Sequence, residues 1–131
     1  ADLKRRRIIG RQRESGAYVL LVLLLVDCGL AIGDIAFVES PARTESDVAA
    51  AVAEGRADAG LAIAAVAKQY RLGFVPLVTE RYDLVVWRRS AFEPAVQALS
   101  SFSRSAAFRE QADALGGYDI SGSGTVHFNG P

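Results

Sequence analysis

Three stretches of this sequence combine residue types able to handle a small anion. The first is Ser15-Gly16-Ala17, with Arg11 and Arg13 just upstream. Ser15 reads as the cap of a helix, and a helix start offers free N–H groups and the positive end of the macrodipole. Small residues there let a ligand approach the backbone, an arrangement that holds tetrahedral oxyanions. Taken locally the pattern has low specificity, because most capping serines bind only their own backbone. The second stretch is Thr44–Val48, in which Asp47 follows Thr44 at the capping-box spacing. The physics is the same, but Glu45 and Asp47 would repel an anion if their carboxylates turned inward. The ordinary reading is a helix cap. The third is Tyr82, whose hydroxyl can donate to an anion and which otherwise reads as an amphipathic aromatic at a sheet edge. Two helix starts in alternating α/β units often point to the carboxyl edge of one sheet, so the first two stretches inform more as a pair.

Other chemistries find little support. The glycines form neither a GxGxxG fingerprint nor a P-loop, and there is no GxSxG elbow. Asp58 and Asp83 are candidates for paired acid work, but Asp58 is expected to bond backbone at a turn. Cys28 is the sole cysteine, which excludes an intrachain disulfide. It is expected to be a small buried apolar residue. Cys28 and the single His127 cannot make a zinc site by themselves. Trp87 is expected in a core or an interface. No catalytic residue, metal site or cofactor is assigned.

The 131 residues are half apolar with zero net charge, which fits one domain or less and is not the composition of a disordered chain. Residues 1–13 hold six basic side chains against one acid. No stripe of basic and aromatic residues continues this run, so direct nucleic-acid binding by this segment is not expected. The longest apolar run, Val19–Val26, is eight residues, far short of a membrane span of ~20.

These residues need elements to position them. A short strand is expected over residues 6–9, ending at Gly10. A buried helix should run from the Ser15 cap to Cys28, closed by Gly29. Ile35–Glu39 reads as a strand, followed by a helix behind Thr44 that Gly55 ends. Asp58–Ile63 is a short strand or turn, and Ala64–Arg71 a helix stopped by Gly73. Phe74–Val78 and Tyr82–Trp87 read as strands. Glu93-Pro94 opens one helix and Ser105 caps the last, which ends at Gly116-Gly117. The alternation predicts an α/β fold with a parallel or mixed sheet covered by helices.

Several stretches resemble the periplasmic-binding-protein-like domain of molybdate-binding proteins. RQRESGAYVLLVLLLVDCGL is similar to that family's RQRGSGTRxLLDxLLxxxGI, and DVAAAVAEGRADAGLAI to its VAAAVASGRADAGLGI. LGFVPLVTERYDLVV and the ending LGGYDISGSGTV also match, so that GRADAG, ERYDL and GYD occur in the family's order. The resemblance covers about residues 6–126. It implies a two-lobed type II fold whose first lobe is formed mostly by an upstream segment. Residues 8–80 would then be the second lobe, residues 82–88 a return crossing strand, residues 92–116 helices of the first lobe and residues 117–131 a tail. It further implies a non-catalytic binder of molybdate or tungstate, standing alone or fused to a DNA-binding segment or a cofactor-biosynthesis protein, or serving a transporter. By position the ligand would meet Arg13, Ser15, Gly16, Ala17, the backbone N–H groups of Asp47 and Val48, and Tyr82. Glu14, Ala17 and Tyr18 stand where the family has Gly, Thr and Arg, an added acid and a lost hydroxyl and cation beside the anion. The alternative is a degenerate sensor or interaction domain that binds another small ligand or none. An orphan lobe would expose a large apolar face, so self-association is an expectation.

Overall fold

In the computed structural model, which describes residues 2–128, β1 (Arg7–Ile9) is the middle strand of a three-stranded parallel sheet ordered β2-β1-β3. Its neighbours are β2 (Ala36–Phe37) and β3 (Ala59–Gly60). Arg7 and Ile8 pair with Ala36 and Phe37, and Ile8 and Ile9 with Ala59 and Gly60. Successive strand residues point to opposite faces. Ile8 accordingly packs with Leu21, Leu25 and Ile35, whereas Ile9 packs with Ala42, Val48, Ala51 and Ala57. The first cluster belongs to α1 (Gly16–Asp27) and the second to α2 (Glu45–Ala53), so these two helices cover opposite faces. Helix α3 (Ala64–Gln69) packs beside α2.

The chain divides into two compact units, Ala1–Phe74 and Val75–Pro131. The first holds the sheet and α1–α3. The second holds α4 (Pro94–Phe102), with proline in its first turn, and α5 (Ala106–Leu115), capped by the Ser105 hydroxyl at 3.1 Å from the Phe108 nitrogen. Phe102 and Phe108 meet edge to face across the α4–α5 joint, their centroids 5.5 Å apart.

The helix starts and the mixed α/β class follow the sequence; several other features differ. Phe74–Val78 and Tyr82–Trp87 form no strand. A strand exists only through a neighbour's hydrogen bonds, and no described residue pairs with either stretch. Helix α1 buries only Leu21 and Leu25, one turn apart, and leaves Val19, Leu23 and Val26 exposed on its outer side. Cys28 is exposed rather than buried, because it lies past the last turn as the C-cap. Trp87 is 74% exposed, outside any core, with the Arg89 guanidinium 5.8 Å over its ring. Arg71, not Gly73, closes α3, in a left-handed conformation with φ 56°. The last three residues of the expected tail lie outside the described residues.

Candidate functional site

The loops leaving β1 and β2 run side by side at the carboxyl edge of the sheet. The Ala42 N–H donates to the Gly10 carbonyl at 2.9 Å, and Arg11 and Ala42 form a parallel bridge beyond the strands proper. Arg11 Nη2 then donates to the Arg43 carbonyl at 2.9 Å. Each loop opens directly into a helix, so the starts of α1 and α2 share this edge.

At the first start, the Ser15 hydroxyl donates to the Gln12 carbonyl at 2.7 Å and accepts from the Tyr18 N–H at 3.1 Å. Its hydroxyl is thus spent on the cap. The N–H groups of Gly16 and Ala17 have no partner among the described residues, and Gly16 is exposed. Arg13 is exposed and has no ion-pair partner among the described residues.

The second start is a closed capping box. Thr44 Oγ1 accepts from the Asp47 N–H at 3.0 Å, and the Asp47 carboxylate accepts from the Thr44 N–H at 2.8 Å. The Val48 N–H donates to the Thr44 carbonyl at 3.3 Å, and its side chain is 2% exposed in the core. The two N–H groups expected to face a ligand are therefore engaged within the helix start. The hydrogen bonds from Thr44, with smaller help from the Arg11 charge, hold the Asp47 carboxyl below the usual carboxylate range. Glu45 reaches further. Its Oε2 accepts from the Ile63 N–H at 3.1 Å, tying α2 to the residue that precedes α3.

Tyr82 belongs to the second unit and is 98% exposed. Asp58 and Asp83 each pair with an arginine. Asp58 accepts from both the backbone N–H and the guanidinium of Arg7 at 2.7 Å, and Asp83 pairs with Arg81 at 3.0 Å. The Arg7 contacts lower the Asp58 carboxyl and raise the guanidinium. Asp58 does bond backbone, but across the sheet from β3 to β1 rather than within a turn. Among the described residues no group of three or more His, Cys, Asp or Glu side chains is placed to hold a metal ion. No helix among them is long and apolar enough to cross a membrane.

Sequence reasoning missed two residues as linkers at this edge, Arg11 and Glu45. The available signals were positional: Arg11 lies two residues past the end of β1, and Glu45 follows a helix cap.

A small parallel sheet with helix starts gathered at its carboxyl edge is an α/β layout in which ligands commonly bind at that edge. The family model of the PBP superfamily domain matches residues 1–104. The chain belongs to this family, and is a periplasmic-binding-protein-like domain, a kind that typically binds ligands and does not catalyse. It is 32% identical over 127 residues to the uncharacterised protein YvgK of Bacillus subtilis, covering 95% of this chain and 41% of that one. It is 34% identical over 80 residues to an uncharacterised protein of Clostridium pasteurianum encoded in the 5′ region of a 2Fe-2S ferredoxin gene, covering 60% of this chain and 71% of the relative. The chain thus spans about two fifths of the Bacillus protein. No solved structure matches it.

Proposed function

We propose that this domain binds a small tetrahedral oxyanion, molybdate or tungstate, without transforming it, as the ligand-sensing part of a transport or transcription-control protein. The observation that carries the reading is the pairing of two helix starts at one carboxyl edge, with the Gly16 and Ala17 N–H groups unpartnered among the described residues and Arg13 nearby in sequence. Backbone donors at a helix start suit a dianion because they bring partial positive charge and no proton to lose. The family supports a binding role, and the likeness to molybdate-binding sequences supplies the ligand class. In a type II layout the remaining donors would come from a first lobe formed by further chain, and Tyr82 would add a hydroxyl.

A second reading has its own support. The Asp47 and Val48 N–H groups are spent on the α2 cap, and Glu14, Glu45 and Asp47 bring negative charge to the same edge. A degenerate member that binds another small ligand, or none, would look like this. Calorimetric titration of the full-length protein with molybdate, tungstate, sulfate and phosphate separates the two. Heat with molybdate or tungstate in preference to the others is the expected result; no heat from any of the four would sink the oxyanion reading.

A further inference from the structure

The two helix starts are useful to one ligand only if their separation is fixed, and the backbone link between their loops beyond the strands is slight. It consists of the Arg11–Ala42 bridge, in which the Ala42 N–H donates to the Gly10 carbonyl. Side-chain support comes from Arg11. Its guanidinium spans from the end of β1 to the Arg43 carbonyl, one residue before the Thr44 cap of α2. The next residue on its own side, Gln12, offers the carbonyl that takes both the Ser15 N–H at 3.0 Å and the Ser15 hydroxyl at 2.7 Å, and so seats the α1 cap. The two caps are thereby joined through residues 11–12 and 43–44. Arg11 is half-buried, and its Nε is a buried donor with no partner among the described residues. Leaving such a donor unsatisfied is costly, so a surface arginine with no task here would be expected to turn out into water.

We infer that Arg11 is a positioning residue, whose guanidinium clamps the β1–α1 loop to the β2–α2 loop and sets the spacing of the two helix starts for a bound anion. The clamp is a property of the first unit alone; its effect on affinity rests on the oxyanion reading above. Arginine suits the task because its long side chain carries a permanent charge to the carbonyl and donates a charge-assisted bond there. It also brings a positive charge near Asp47.

The test compares the wild-type protein with Arg11→Gln and Arg11→Lys by two measurements. One is molybdate affinity by calorimetry, at a temperature where circular dichroism shows all three folded. The other is hydrogen exchange at the Ala42 amide without ligand. Losing a charge-assisted bond that orients donors predicts molybdate binding weaker by about tenfold or more in Arg11→Gln. Faster Ala42 exchange should accompany it, and Arg11→Lys should recover most of both because it can still reach the carbonyl. Wild-type affinity in Arg11→Gln would overturn the assignment. If the wild-type protein binds no molybdate, the oxyanion reading fails separately. The clamp is then decided by exchange alone: faster Ala42 exchange in Arg11→Gln upholds it, and unchanged exchange refutes it.

Discussion

Two residues show how much depends on what a side chain adjoins. Gly60 lies in β3 where the α2 face meets β1. A Cβ there would stand 2.5 Å from Val48 Cγ1 and 2.6 Å from Ile9 Cγ2, both deep in the core. Neither neighbour can withdraw without moving helix or strand. Gly60→Ala should therefore destabilise the first unit by about 1–3 kcal/mol, the usual cost of overpacking, as read by urea denaturation. An unchanged midpoint would mean that α2 can slide outward freely. Tyr82 is the opposite case. It is almost wholly exposed, so Tyr82→Phe should leave stability unchanged. If its hydroxyl donates to a bound oxyanion, the same change should weaken molybdate binding by ~1.5–3 kcal/mol. Equal affinity in a calorimetric comparison would remove Tyr82 from the site. Gly60 was visible in the sequence only as one glycine of a short strand or turn, because its neighbours Val48 and Ile9 are distant along the chain.

At the scale of elements, the helices were legible because their signals are local. Ser15, Thr44 and Ser105 each accept a hydrogen bond from an N–H three residues on, a bond that needs nothing beyond one turn of chain. The strands were less so. Phe74–Val78 and Tyr82–Trp87 have strand-like composition, yet pairing requires a distant neighbour that composition cannot specify. The helix ends of the first unit add a comparison. All three close with the same pair of reversed bonds: Leu30 to Leu25 with Gly29 to Val26, Arg56 to Ala51 with Gly55 to Val52, and Leu72 to Ala67 with Arg71 to Lys68, all at 2.8–3.1 Å. The motif requires a left-handed residue just past the cap. Glycine fills it in α1 and α2, with φ 69° at Gly29 and 72° at Gly55, but α3 uses Arg71 at φ 56°. A side chain there costs about 1–2 kcal/mol, partly offset because glycine loses more freedom on folding. Arg71→Gly should thus raise stability by about 0.5–1 kcal/mol. A lower urea midpoint for Arg71→Gly would show that the arginine side chain makes a compensating contact.

For the molecule as a whole, strand–helix alternation made the α/β class legible and the family likeness the binding role, while the ties that hold the sheet together were not. Arg7 and Asp58 are 51 residues apart, and nothing in their spacing announces that one carboxylate takes both the backbone and the guanidinium of the other. That contact joins the start of β1 to the entry of β3, whereas Asp47 closes the capping box within the start of α2. Both carboxyls are held below the ordinary range, Asp58 by Arg7 and Asp47 by Thr44, and Asp34 likewise by the Ala31 N–H and Lys4. A carboxyl lowered in the folded state binds fewer protons there than in the unfolded chain, whose aspartates titrate near ~3.9. Its contribution is full above that value and is lost as pH falls through the lowered one. The first unit should accordingly keep these contributions from neutral pH down to about pH 5 and lose them progressively as pH falls below about 4. Asp58→Asn removes the proton-linked part of the sheet tie, so it should be less stable at neutral pH and show a shallower decline on acidification. Urea denaturation at a series of pH values measures both slopes. Parallel slopes for the wild-type protein and Asp58→Asn would mean that the Arg7 contact does not survive in solution, and that β1 and β3 are held by their backbone ladder and the Ile9–Val48 packing alone.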